Sequence, residues 1–338
     1  MRKITKLSGA SFEEIYLYQS KKTFVRKIFR KKKNNLQRAL FFEQQYKWLK
    51  FAKEKNLSVP EILKTSSSKN KIFYDMKYID KAKSLNQLKT LEKNQILKKV
   101  LFDLQKFYLE NYEESICDKN LLKNTFKTKI LNSIKSIKSE NEKLLDSNYI
   151  IINQKKCKNI IKIFDEIIYS KKPLYNFIRN NFDQKFKTII HGDLTFENIL
   201  IKDKNYYLID PYGGFADYKS KNNIFFKTSI FFDIGKICQS AVANYENWDE
   251  KKVYLSKSKK DLMNWNINFI NEKSLKNIVF LEKNFNFLKL KNFDIISIIH
   301  MVVFLCRIIR YLNIKNKKLA VASYLVATYW INYINNLK

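Results

Sequence analysis

Apolar residues recur along this chain with two different periods, and the change from one to the other divides it. Near the N-terminus the period is two. Ile4–Leu7, Glu14–Gln19 and Thr23–Phe29 read as strands, the first two flanking a turn at Gly9. A helix is expected next, from about Asn35 to Lys55, where Leu36, Leu40, Tyr46 and Leu49 recur at roughly helical spacing. Pro60 closes that region, Ser66–Asn70 supplies a hairpin turn, and the returning strand covers Lys71–Ile79. From Ser84 the pattern becomes helical, with Leu85, Leu88, Leu91, Ile96, Val100, Leu101, Leu104 and Phe107 forming apolar stripes. Residues 112–187 are rich in Lys and Asn, carry no motif and are expected to be helical. Ile199–Ile201 and Tyr206–Ile209 then read as short strands around a turn at Lys202–Asn205, and the chain after Asp233 reads as helix to its end. No internal repeat is present. The sum is an α+β chain: a small β-rich lobe over residues 1–80, and a large helical lobe over 81–338 that includes the insertion 112–187.

Composition narrows the class. The 338 residues are 45% hydrophobic and 15% aromatic, enough for a sizeable core and incompatible with a chain disordered throughout. Cys117, Cys157, Cys238 and Cys306 are far apart and form no C-x-x-C pair, so neither a disulfide framework nor a zinc site is expected. Ile295–Cys306 and Leu319–Ile331 are the most apolar stretches. Both fall short of the ~20 residues of a membrane span and read as buried helices. Met1–Thr5 leads into polar sequence without an apolar signal core. The expectation is a cytoplasmic protein with no membrane span.

The net charge of +33 invites a nucleic-acid reading, but its make-up argues against one. Of the 65 basic residues 58 are lysine and only seven arginine, scattered among Asn and Ile rather than gathered in a stripe. Base-reading and phosphate-clamping surfaces favour the planar fork of Arg. No specific nucleic-acid partner is expected. The charge should still attract anionic ligands and give salt-sensitive, non-specific contacts with polyanions.

Glycine directs attention to the chemistry. The chain has five, and four of them, Gly192, Gly213, Gly214 and Gly235, lie close to an aspartate within residues 190–236. There, His191-Gly192-Asp193-Leu194-Thr195-Phe196-Glu197-Asn198 is followed by Ile199-Leu200 and then by Ile209-Asp210. Phosphoryl transfer needs one carboxylate to orient and deprotonate the acceptor hydroxyl, and oxygen ligands for the magnesium that bridges the phosphates. An Asp and an Asn five residues apart on a tight loop can face one site from its two ends. A hairpin then returns the chain and delivers a second Asp.

These motifs resemble the catalytic and metal loops of kinase-like folds. His-Gly-Asp, and Ile-Asp-Pro where protein kinases have Asp-Phe-Gly, are similar to the aminoglycoside phosphotransferase and choline kinase superfamily. With Asp233-Ile234-Gly235-Lys236 added, the pattern looks closest to phosphotransferase-like proteins of bacterial surface-polysaccharide pathways. The resemblance implies a two-lobed protein kinase-like fold. It implies Asp193 as catalytic base, and Asn198 and Asp210 as ligands of Mg2+. It places the phosphate-covering loop at Leu7–Glu14, with Gly9 and Ser11 as nucleotide contacts, although one glycine departs from the Gly-rich form. Lys27 becomes the base for the α- and β-phosphates, with Arg26 the alternative if the register shifts by one, and Glu43 the acid that pairs with it. Lys77 and Ile79 fall on the hinge strand that would meet adenine. His191 and Asp233 read as structural, the latter as a brace or a helix cap. His300 reads as a core histidine. Tyr212, Phe215 and Asp217 border the site in sequence.

The implied partners are ATP, or GTP, as phosphoryl donor and a small-molecule hydroxyl as acceptor, either sugar-like or an amino alcohol. Two other classes stay open at this stage: a degenerate kinase-like protein that binds nucleotide without catalysis, and a lysine-driven polyanion binder. No Ala-Pro-Glu segment follows Asp210, which counts against a protein kinase.

Overall fold

The computed structural model describes residues 2–7, 13–19, 22–215, 225–256 and 263–336. The chain forms two compact units. The first comprises Met1–Glu113 with Thr188–Thr228, the second Glu114–Lys187 with Ser229–Lys338.

The first unit opens on a five-stranded antiparallel sheet of β1 (Arg2–Leu7), β2 (Glu14–Gln19), β3 (Thr23–Arg30), β4 (Ile62–Ser67) and β5 (Lys71–Lys77), in the order β1-β2-β3-β5-β4. Alternation along β3 sets its faces, as period-two patterning requires. Val25, Lys27 and Phe29 are buried, while Arg26, Ile28 and Arg30 are less so. Helix α1 (Leu36–Glu54) packs on this sheet through Ala39, Phe42, Tyr46, Leu49 and Ala52. Leu36 and Leu40, expected on its apolar face, are instead 59% and 41% exposed. The aromatic residues at 42, 46 and 48 displace them, because a large ring buries more apolar area than a leucine. A short strand β6 (Lys83–Ser84) and helix α2 (Thr90–Glu110) follow.

The hairpin Ile199–Lys202 with Asn205–Leu208 joins this unit by pairing Leu200 with Ser84 and Ile201 with Lys83. The Leu208 N–H also donates to the Ser58 carbonyl (2.9 Å), and Tyr206 Oη donates to Asp103 Oδ2 (2.8 Å). These bonds tie the segment after residue 188 to the N-terminal one. Asp203 and Lys204 turn the hairpin with φ of 49° and 62°, both left-handed, as a two-residue turn of this hand demands.

The second unit is mainly helical but not wholly so. Tyr149–Ile152 and Lys155–Lys158 form a hairpin inside the stretch expected to be helical, and Val253–Ser256 with Asn264–Ile267 form another after Asp233. The two combine into one four-stranded sheet. The first hairpin turns at Asn153 and Gln154, both left-handed (φ 48° and 65°), without the glycine that ordinarily signals such a turn. Its Ile150–Ile152 run has no alternation to separate strand from buried helix. Asn332 clamps this hairpin, bonding both the N–H and the carbonyl of Lys158 at 2.8 Å.

The unit's core is the 23-residue helix Phe293–Lys315, packed against Phe231–Ala241 and Lys317–Asn335. It is long and apolar enough to cross a membrane by length and composition, and 72% of its most apolar window is buried within the fold. His300 lies in this core, stacked on Phe182 with ring centroids 4.2 Å apart, its Nδ1 2.9 Å from the Ile296 carbonyl. The four cysteines are free thiols, and burial pushes Cys157 up to about 12.

Candidate active site

Within the first unit, two chain segments meet at His191. Gly192 adopts φ 80°, a left-handed conformation that lets the chain reverse between His191 and Asp193. The His191 ring is buried. The Asp193 N–H donates to its Nδ1 (3.3 Å), and its Nε2 lies 2.9 Å from the Ile209 carbonyl. An amide N–H can only donate, so Nδ1 is the unprotonated nitrogen and Nε2–H is the donor to Ile209. These two bonds select one arrangement of the ring nitrogens. Trp48 meets the ring edge-on with centroids 5.1 Å apart. Through these contacts His191 braces the loop.

The loop closes on itself through Asn198. Its Nδ2 donates to the carbonyl of Asp193 (2.8 Å) and to the Asp193 carboxylate Oδ2 (3.1 Å). The Ile209 N–H donates to the Asn198 carbonyl (3.0 Å), and the Tyr212 N–H to that of His191 (2.8 Å). The hairpin therefore brings Asp210 back to the loop that carries Asp193 and Asn198. Asp210 itself sits at φ 55°, a strained region for a non-glycine residue that costs on the order of 1 kcal/mol and recurs at functional sites. Gly213 fixes the next step of the chain: a Cβ there would lie 1.8 Å from the Phe41 carbonyl oxygen of α1. The Tyr212 ring packs on Phe41, centroids 5.8 Å apart.

Lys27 reaches this cluster from β3. Its side chain is 1% exposed, with Nζ 2.8 Å from Asp210 Oδ1 and 3.5 Å from Glu13 Oε2. Burial favours the neutral amine, but Asp210, Tyr74 and Glu13 outweigh it and hold the Lys27 ammonium well above the usual lysine range. Arg26 points the other way. It forms a bidentate pair with Asp75 (2.6 and 2.7 Å) and stacks over Phe73 at 4.2 Å. Of the two bases that sequence left open, the structure brings Lys27, and not Arg26, to Asp210.

The segment expected to act as the hinge lies elsewhere in the same unit. Lys77 and Ile79 line a cavity of about 410 Å³ with Val59, Pro60, Tyr78 and Tyr207, and none of Lys27, Asp193, Asn198 or Asp210 borders it. The Lys77 N–H is already donated to the Glu61 carbonyl (2.9 Å), and the Ile79 carbonyl accepts from Ala82 (3.3 Å). The Ile79 N–H has no partner among the described residues.

No protein-family model matches this chain, and no curated protein sequence does. Solved structures do. A protein assigned as fructosamine-3-kinase from Haemophilus somnus 129PT is similar over 99% of this chain and 91% of that one, with a TM-score of 0.56 at 13% identity. A point variant of aminoglycoside 2'-phosphotransferase-IIIa in complex with GDP is similar over 98% and 92%, with a TM-score of 0.54 at 11% identity. The fold is protein kinase-like.

Asp193, Asn198, Asp210 and Lys27 are brought together. Gly9 and Ser11 lie outside the described residues, as does Asp217. Glu43 does not reach Lys27. It accepts a hydrogen bond from Tyr46 Oη one turn along α1 (3.1 Å), and the acids at Lys27 are Asp210 and Glu13. Lys27 takes the acids its own strand neighbours and the returning hairpin present, and α1 presents Glu43 to Tyr46 instead. Asp233 is buried at the third position of helix Phe231–Ala241, whose cap is Ile230, so it is not the cap residue. Glu13 is the residue that sequence reasoning passed over. A signal existed: it lies two residues before Ile15, which pairs directly with Lys27, so Glu13 and Lys27 belong to the same sheet face.

The donor set suits a hard cation held mainly by its substrate. The Asn198 amide nitrogen is committed to Asp193, which leaves Oδ1 as the end able to ligate, and Asp210 adds a carboxylate 30% exposed. No cluster of three or more His, Cys, Asp or Glu residues that could hold a metal occurs among the described residues. Two protein oxygens fit Mg2+, which takes one or two protein ligands and completes its shell with water and phosphate, better than they fit a metal that needs an all-protein cage.

Proposed function

We propose that this protein is an ATP-dependent phosphotransferase, with GTP as the alternative donor, that moves the γ-phosphoryl group to a hydroxyl of a small sugar-like or amino-alcohol molecule in the cytoplasm. One observation carries the reading: Asn198 holds Asp193 by its carboxylate while the hairpin beyond it delivers Asp210 to buried Lys27. A base, an amide, an acid and a buried ammonium in one connected set are the parts that phosphoryl transfer requires. The names borne by the two similar structures, a fructosamine kinase and an aminoglycoside phosphotransferase, point to the same chemistry. The GDP in the second supports a nucleotide donor.

In this reading Lys27 binds phosphate oxygens as a charged ammonium, kept so by its carboxylate neighbours. Asn198 and Asp210 would hold Mg2+, which would supply charge neutralisation on the phosphates when bound. The Ile79 N–H, without a partner among the described residues, is the hinge donor for a purine edge. Asp193 orients the acceptor hydroxyl and takes its proton as the oxygen attacks the γ-phosphorus. The new O–P bond forms while the bond from the γ-phosphorus to the bridging oxygen breaks, and the nucleoside diphosphate leaves with that electron pair. Asn198 keeps the base in one rotamer through the bond to Oδ2.

The test is a thermal-shift titration with ATP, GTP and their non-hydrolysable analogues, with and without Mg2+, on wild type and Asp210→Ala. A magnesium-dependent rise in melting temperature that disappears in the variant supports the reading. Screening of acceptor alcohols follows, where Asp193→Ala is expected to abolish turnover while retaining nucleotide binding. The absence of a shift with every nucleotide would sink it.

A further inference from the structure

Building on the phosphotransferase reading of this site, we propose that Glu13, not an acid of α1, is the residue that positions the phosphate-binding lysine. Three observations lead there. Lys27 Nζ is 3.5 Å from Glu13 Oε2, and the Glu13 side chain is only 12% exposed. Glu43, the helix acid in the expected place, is turned to Tyr46. The remaining groups that face the ammonium are Asp210 and the ring of Tyr74, whose centroid lies 6.0 Å from Nζ.

Strand register explains why Glu13 and not its neighbour takes this place. Ile15 is the direct partner of Lys27, so Glu13 is the diagonal neighbour on the same face, a separation that long side chains bridge. Glu14 is on the opposite face, where it accepts from Arg30 Nε (2.6 Å) and from Tyr16 Oη (3.1 Å). Two adjacent acids are thereby sorted by the pleat, one to the surface arginine and one to the buried lysine.

Donor geometry gives Glu13 its role. Asp210 is shared between Lys27 and the metal-binding function, whereas Glu13 belongs to no metal-donor set. An ammonium has three donors and can hold Asp210, Glu13 and a phosphate oxygen together. Glu13 therefore keeps Lys27 aimed when Asp210 is engaged elsewhere.

The experiment compares Glu13→Gln with Glu43→Gln. Glu13→Gln is expected to raise KM for ATP about tenfold with kcat changed less than about threefold, and to have no further effect in a Lys27→Met background. Glu43→Gln is expected to change KM for ATP by less than about twofold. An unchanged KM in Glu13→Gln, or a rise in Glu43→Gln alone, overturns the proposal. A second readout needs no activity: a double-mutant cycle of Glu13→Gln and Lys27→Met followed by urea unfolding. The destabilisation caused by Glu13→Gln should disappear in the Lys27→Met background, whereas Glu43→Gln and Lys27→Met should be additive. Additive effects of Glu13→Gln and Lys27→Met overturn the proposal whatever the kinetics. A wild type that binds no nucleotide while this cycle still shows coupling removes the phosphotransferase reading and leaves the Glu13–Lys27 pairing standing.

Discussion

Asn198 Nδ2 donates to Asp193 Oδ2 at 3.1 Å, so the proposed metal-binding amide and the proposed base share one hydrogen bond. The same nitrogen also holds the Asp193 backbone carbonyl at 2.8 Å, and no other residue type of this length offers two donors and a ligating oxygen on one planar group. An acid at this position would still ligate a cation but would replace the donor by a second negative charge.

That difference gives the first prediction. Asn198→Asp should lower kcat about a hundredfold, because a second carboxylate replaces the amide donor that holds the Asp193 carboxylate in place. Asn198→Ala should lose rate as well and should also raise the Mg2+ requirement, which Asn198→Asp, still able to ligate, should change less. A kcat within about twofold of wild type in Asn198→Asp would show that the two side chains are not coupled.

The Lys27 ammonium supplies a pH dependence of stability. Its folded-state pKa lies above the unfolded value, so its ion pairs stabilise fully below about pH 10.5 and are lost as pH rises toward the folded pKa. Wild type should lose stability in urea titrations above about pH 10.5 more steeply than Lys27→Met. Asp210→Ala removes the 2.8 Å partner and leaves Lys27 only the 3.5 Å contact to Glu13, so it should destabilise by about 3 kcal/mol at pH 7. Adding Lys27→Met to Asp210→Ala should restore part of that loss.

Much of this site could be read in the sequence, and the reasons differ from residue to residue. Asp193, Asn198 and Asp210 lie within eighteen residues of one another, and local geometry, a glycine at φ 80° and a tight hairpin, brings them together. Lys27 was legible from β alternation, which places it on the face of Val25 and Phe29. Glu43 was not, because spacing along a helix does not say whether an acid reaches across to the sheet or bonds a tyrosine one turn away. The hairpin Tyr149–Lys158 escaped notice because its turn uses Asn153-Gln154 in place of a glycine pair and its first strand is apolar throughout. Leu36 and Leu40 misled because helical spacing identifies a stripe, while packing on the sheet selects which stripe is buried.

Gly213 is the point where the chain after Asp210 touches α1. A methyl group there would meet the backbone oxygen of Phe41 at 1.8 Å, and backbone cannot move aside as the end of a side chain can. Gly213→Ala should therefore cost about 3 kcal/mol and shift residues 210–213, lowering nucleotide affinity together with stability. Equilibrium unfolding and the magnesium-dependent thermal shift check the two parts separately. Unchanged stability would mean that this contact yields without cost.

Buried His300 is expected to make the second unit sensitive to acid. Burial lowers its pKa from 6.5 to about 4, against the opposing bond of Nδ1 to the Ile296 carbonyl, and rings of Phe182, Phe231 and Phe232 surround it. The folded state holds it neutral, whereas an unfolded chain protonates it below about pH 6.5. Its contribution is present in full above pH 6.5 and is lost as pH falls toward 4, a change of about 3 kcal/mol for one proton over that interval. His300→Asn keeps a donor for Ile296 and removes the titration. It will be less stable at pH 7, since it leaves the stack on Phe182 unfilled. The decisive quantity is the slope: between pH 6.5 and 5, where carboxylates contribute least, stability should fall in wild type and stay level in the variant. Parallel slopes in both proteins would show that the acid sensitivity arises elsewhere in the chain.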